Sequence, residues 1–150
     1  MAERWRAPFA STEMVHRRMS AQPRRDTRPE RALRQALHRQ GLRYFVHRRP
    51  LEHLRREADI VFPRARVAVF VDGCFWHGCP LHGQRSPSTN SWYWVEKIAT
   101  NKARAAETDE LLVAAGWRVV RVWEHENAEA VALDIETLYR MRMTSLGRRS

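Results

Sequence analysis

The sequence predicts an α/β domain of three layers built on a mixed β-sheet. Ala58-Asp-Ile-Val-Phe62 and Val67-Ala-Val-Phe-Val71 are short apolar runs joined by Pro63-Arg-Ala-Arg66, a spacing that reads as an antiparallel hairpin. A third run, Arg118-Val-Val-Arg-Val-Trp123, follows a long helical stretch. Helical patterns from Thr27 and after Asn127 bracket the set, giving the order helix–strand–strand–strand–helix–strand–helix. With 150 residues the chain is long enough to bury one core without a disulfide or metal to support it.

The elements follow in order. Residues 1–26 lack periodicity and read as a basic, extended or partly helical arm. Thr27-Arg-Pro-Glu30 opens the first helix, with Thr27 as cap, Pro29 in the first turn and Glu30 completing a capping box. Leu33, Ala36 and Leu37 form its apolar stripe, and Gly41 stops it. Residues 42–48 read as a strand and 49–56 as a basic loop. The second hairpin strand, apolar throughout, is expected to be buried on both faces. Residues 73–91 form a Gly/Pro/Ser-rich loop. A helix then runs from about Tyr93 to Ala115, with Val95, Ile98, Leu111 and Leu112 on its apolar side and Gly116 at its end. Asn127 caps a last helix presenting Val131, Ile135, Leu138 and Tyr139. The folded domain is thus expected over 27–142, with 143–150 as a frayed tail.

Composition narrows the function classes. A hydrophobic content of 43% is that of a globular chain, and no run reaches the roughly 18 apolar residues of a membrane span. The N-terminal residues are polar and basic rather than signal-like, so a cytoplasmic protein is expected. The net charge of +10 is not spread evenly. Residues 1–56 hold 15 Arg against five acids, whereas 57–150 are balanced at 12 and 12. A basic arm of this kind is the electrostatic footprint of a polyanion binder; a solvated arginine-rich tail is the plainer alternative.

Chemistry concentrates around the second hairpin strand. Asp59 sits in an otherwise apolar strand, where a lone carboxylate is costly unless paired or bound to a cation. The adjacent strand ends at Asp72, so two carboxylates can meet at neighbouring strand ends, a setting for a hard divalent ion such as Mg²⁺. Beyond it, Cys74-Phe-Trp-His77-Gly-Cys79-Pro-Leu-His82 packs two cysteines and two histidines into nine residues. Its Cys-x4-Cys-x2-His spacing is short enough to wrap one ion, and tetrahedral zinc then requires a fourth ligand from elsewhere. Two cysteines without a secretory signal favour a metal over a disulfide.

Five segments together resemble the very short patch repair (Vsr) endonucleases, in the family's order and spacing: Asp26-Thr-Arg-Pro-Glu30, Val71-Asp-Gly-Cys-Phe-Trp-His-Gly-Cys79, Tyr93-Trp-Val-Glu-Lys-Ile98, Asn101, and Gly116-Trp-Arg-Val-Val-Arg-Val-Trp-Glu124. The resemblance implies a restriction-endonuclease-like fold with a structural zinc. It implies an enzyme that nicks one strand of double-stranded DNA 5′ to the T of a T:G mismatch left by 5-methylcytosine deamination. It further implies a monomer, linked functionally to a cytosine-5 DNA methyltransferase.

Carried over by position, Asp59 is the metal-binding aspartate, and the backbone carbonyl of Val71 completes the Mg²⁺ site. Glu30 reaches that metal through water, a role compatible with capping. His77 is the catalytic histidine acting on the attacking water or its phosphate, as an imidazole titrating near 6.5 is able to do. Cys74, Cys79, His82 and His125 form the Zn²⁺ set, with His125 as a plain surface residue the alternative. Phe75, Trp76 and Trp94 match aromatics that wedge into DNA beside the mismatch, and Asn101 is a further DNA contact; for Trp94, core burial is the competing reading. Asp72 stands where many relatives have histidine, so it either binds metal or alters proton transfer. Ala105 stands where an aspartate often follows the arginine, and Glu57-Ala-Asp59 lacks the common proline. Two other readings remain on sequence alone: a zinc-stapled DNA-binding module without catalysis, and a related nuclease of a mobile-element or defence system.

Overall fold

The computed structural model describes residues 25–74, 79–80 and 91–147. Within them lie three helices and four strands: α1 (Arg28–Arg39), β1 (Phe45–Arg48), β2 (Ala58–Phe62), β3 (Val67–Asp72), α2 (Ser91–Ala114), β4 (Arg118–Trp123) and α3 (Ala128–Gly147). The sheet has the order β1-β2-β3-β4. β1 and β3 each pair antiparallel with β2, and β4 joins β3 in parallel. The sheet is therefore mixed, as the run of hairpin and helical crossover requires.

β3 is the centre. Val67, Ala68, Val69 and Phe70 are all buried, matching the expectation of a strand covered on both faces. Its alternation sorts the core into two. Val67 and Val69 join Ile60, Phe62, Leu33, Leu37, Val131 and Ile135 under α1 and α3. Ala68 and Phe70 join Val61, Leu112 and Trp117 under α2. Helices thus cover both faces of the sheet.

Helix ends follow the residues that set them. Thr27 caps α1, its hydroxyl accepting from the Glu30 amide at 3.3 Å. The expected reciprocal bond is displaced by one residue: the Glu30 carboxylate accepts from the amide of Asp26 (3.0 Å), because Asp26 turns into the left-handed region at φ 54°. Gly41 (φ 84°) and Gly116 (φ 86°) close α1 and α2 by the same device. In each, the residue after the glycine bonds back five positions, Leu42 to Leu37 at 3.1 Å and Trp117 to Leu112 at 2.9 Å. That device corrects the strand expected over 42–48: Leu42 is a buried helix stop, and only Phe45–Arg48 pair.

The apolar face expected on α2 is corrected in part: Leu112 is buried as expected, but Val95 and Leu111 are not. Val95 is 59% and Leu111 44% exposed, while Trp94, Thr108 and Leu112 are buried. The inward face passes through Asn101 and Ala105, and its apolar signal is weak because part of it overlies a polar cleft. Asn127 caps α3 as expected, its side chain accepting from Ala130 at 3.0 Å. α3 runs on to Gly147 through most of the stretch expected to fray. Met143 packs on the core, and Arg142 donates to the carbonyls of Ala65 and Gly116. Among the described residues, no helix is long and apolar enough to cross a membrane.

Candidate active site and cysteine–histidine cluster

The hairpin opens at the end away from its turn, and the acidic residues gather there. The last β2–β3 pair toward that end is Ile60 with Val69. Beyond it, Asp59 Oδ2 accepts the amide of Val71 at 2.7 Å, so a side chain takes a bond from the neighbouring strand's backbone. Burial pushes the Asp59 carboxyl up to about 6; the Val71 amide and His47 oppose the rise, and the Glu30 and Asp72 carboxylates add to it. A carboxylate charged against burial and two like charges is one that gains from a cation.

Glu30 enters from the first turn of α1 and is only 4% exposed. His47 of β1 reaches toward it, with Nε2 3.9 Å from Glu30 Oε2 and 3.2 Å from Asp26 Oδ1. Asp26 also accepts from Arg34 at 2.7 Å, and Arg34 and His47 together hold its carboxyl below the usual range. Asp26, Glu30 and His47 keep their ligand atoms close enough to hold a metal ion. Both Asp26 and His47 (φ 48°) occupy the left-handed region, unusual for residues other than glycine. Sequence reasoning missed His47 because β1 gave no strong periodic signal.

Asp72, at the end of β3, has its carboxylate bound at 3.0 and 3.3 Å by Arg121 NH1. Arg121 of β4 also pairs with Asp109 of α2 at 2.8 Å, donates to the carbonyl of Ala105, and lies 4.2 Å over the Phe70 ring. Asp72 is thus part of an arginine-centred clamp joining β3, β4 and α2. Arg121 was not singled out in the sequence, although a charge among Val119, Val120 and Val122 marks it.

Asp59, Val71, Asp72 and Asn101 line a cleft of about 410 Å³. Four arginines, Arg55, Arg56, Arg104 and Arg121, line it too. Trp94, expected to contact DNA, is instead completely buried in the first turns of α2. Phe75, Trp76, His77 and His82 lie outside the described residues.

Beside the cleft, β3 and β4 end together, and their exits bring Cys74, Cys79 and His125 to one point. Cys74 Sγ is 3.2 Å and Cys79 Sγ 3.7 Å from His125 Nδ1. A tetrahedron with Zn–S of about 2.3 Å and Zn–N of about 2.0–2.1 Å has S···N edges of about 3.5 Å, so the three donors fit that ion. Neither cysteine is in a disulfide, and both are buried. Burial and the neighbouring Cys79 push the Cys74 thiol up to about 11, a cost that a bound cation removes by stabilising the thiolate. The amide of Cys79 donates to the Cys74 carbonyl at 2.8 Å, and that of Cys74 to the Glu124 carboxylate at 3.1 Å.

A mixed sheet carries carboxylates and arginines at one open end, with a cysteine–histidine cluster at the adjacent strand ends, on an α/β domain. The chain belongs to the Vsr family: residues 11–82 match the family described as DNA mismatch endonuclease Vsr. It is 48% identical over 129 residues to the type II nicking enzyme V.NaeI of Lentzea aerocolonigenes, covering 83% of this chain and 76% of that protein. To the type II nicking enzyme V.XorIIP of Xanthomonas oryzae pv. oryzae it is 42% identical, over 73% of this chain and 79% of the relative. To the DNA mismatch endonuclease Vsr of Escherichia coli it is 36% identical, over 71% and 66%.

Proposed function

We propose that the chain is a Mg²⁺-dependent DNA endonuclease that nicks one strand 5′ to the T of a T:G mismatch and so starts very short patch repair. The observation that carries this reading is Asp59: a carboxylate held at the open end of a hairpin, charged against burial, in an arginine-walled cleft. The relatives named type II nicking enzymes support scission of a single strand, and the Escherichia coli relative's name supports the mismatch.

Asp59 and the Val71 carbonyl would hold Mg²⁺, with Glu30 reaching it through water; the bound ion supplies an acidified water and charge stabilisation at the phosphate. The Val71 amide fixes one carboxylate oxygen of Asp59 and so sets the orientation of the other. His77, in its neutral form, takes the proton of the attacking water. Phe75 and Trp76 enter the duplex beside the mismatch, where poor pairing makes unstacking least costly. Cys74, Cys79, His82 and His125 hold structural Zn²⁺, which staples the exits of β3 and β4. The enzyme works as a monomer alongside a cytosine-5 DNA methyltransferase, whose product is the source of the mismatch.

Asp59→Ala is expected to abolish Mg²⁺-dependent nicking of a T:G duplex while leaving affinity for that duplex within about threefold. Binding is read by fluorescence anisotropy and nicking on a denaturing gel. An Asp59→Ala variant that still nicks would sink the reading.

A further inference from the structure

The four arginines of the cleft divide into two kinds. Arg56 is committed to the protein: it donates to Thr108 at 2.8 Å and to the Arg104 carbonyl at 3.2 Å, and pairs with Glu107. Arg121 is committed likewise, to Asp72, Asp109 and Ala105. Arg55 and Arg104 are different. Both line the cleft, both are exposed, and among the described residues neither guanidinium has a hydrogen-bond or ion-pair partner. Arg55 comes from the segment leading into β2 and Arg104 from α2, so two separate elements contribute to one opening. Their committed neighbours fix the wall between them, since Arg56 bonds the carbonyl of Arg104 itself.

Uncommitted guanidiniums beside a carboxylate site call for an anion that spans the opening. A guanidinium matches a phosphate by paired N–H donors, and its charge persists at any working pH. We infer that Arg55 and Arg104 form a phosphodiester clamp, holding backbone phosphates of the DNA strand that passes Asp59, while Arg56 and Arg121 build the wall. This rests on the nuclease reading above and adds to it the groups that seat the strand. Phosphate contacts fix register without reading sequence, so the clamp serves any flanking sequence equally.

The test is the salt dependence of binding by the full chain, without added divalent cation, to a labelled duplex carrying one T:G pair. Each phosphate contact contributes about 0.9 to the slope of log K against log salt. Arg55→Ala and Arg104→Ala are each expected to flatten the slope by about 0.9, and the double variant by about 1.8. Arg55→Lys and Arg104→Lys should retain it. Arg64→Ala, in the β2–β3 turn at the opposite end of the hairpin, should leave the slope unchanged. A double variant that folds, binds and keeps the full slope overturns the clamp and leaves the nuclease reading standing. An unmodified chain that binds no duplex overturns both.

Discussion

Asp59 concentrates the account at the scale of one residue. Its carboxyl is raised from 3.8 to about 6, so the folded state holds this proton more tightly than the unfolded chain does. The sign follows: its contribution is most favourable below pH 3.8, declines as pH rises through about 6, and is a penalty above that. Such a shift corresponds to at most about 3 kcal/mol. Asp59→Asn, which keeps an acceptor for the Val71 amide, is therefore expected to stabilise the metal-free protein by about 1–3 kcal/mol at pH 7.5. The gain should fall to about half by pH 5 and vanish only below pH 3.8, read by urea melts at pH 7.5 and 5, while nicking is lost at both. Equal stability at pH 7.5 would show that Asp59 bears no burial penalty. The residue was legible in the sequence because an aspartate in an apolar strand is anomalous. Its bond to Val71 was not, since it depends on where the β2–β3 ladder stops.

Elements bring the remaining groups together. The Arg121 clamp ties β4 to β3 and α2, and removing its centre takes away the cation that Asp72 and Asp109 share. Arg121→Ala is expected to cost about 2–4 kcal/mol by chemical denaturation, with Arg121→Lys recovering only part. Loss of less than about 0.5 kcal/mol would mean the clamp is solvated. At the ends of β3 and β4, His125→Ala removes the imidazole of the cysteine–histidine cluster; the purified variant is expected to carry well under one zinc per chain by elemental analysis, against about one for the unmodified protein. Full zinc occupancy in that variant would place His125 outside the ligand set. The hairpin, the helix caps and both glycine stops could be read in the sequence because each rests on local chemistry. The true inward face of α2 could not, because Asn101, Ala105 and Thr108 give no apolar period. The pairing of Asp72 with Arg121 was likewise not legible, because it depends on how β4 lies against β3.

For the whole molecule, charge and architecture point the same way. The excess of +10 lies in the first 56 residues, which include Arg55 of the cleft and lead directly into the strand that carries Asp59. Helices cover both faces of the sheet, leaving the open hairpin end as the place where arginines and carboxylates meet. Trp94, a motif residue in the first turn of α2, is fully buried, in keeping with the packing alternative its sequence position allowed. The central claim is that this cleft cuts one strand at a mismatch, and a strand-labelled duplex with a single T:G pair, compared with its T:A control in Mg²⁺, tests it most directly. One nick 5′ to the mismatched T, absent from the T:A duplex, is the expected result. Equal cutting of both duplexes would contradict mismatch recognition, and no cutting across several flanking sequences would contradict catalysis itself.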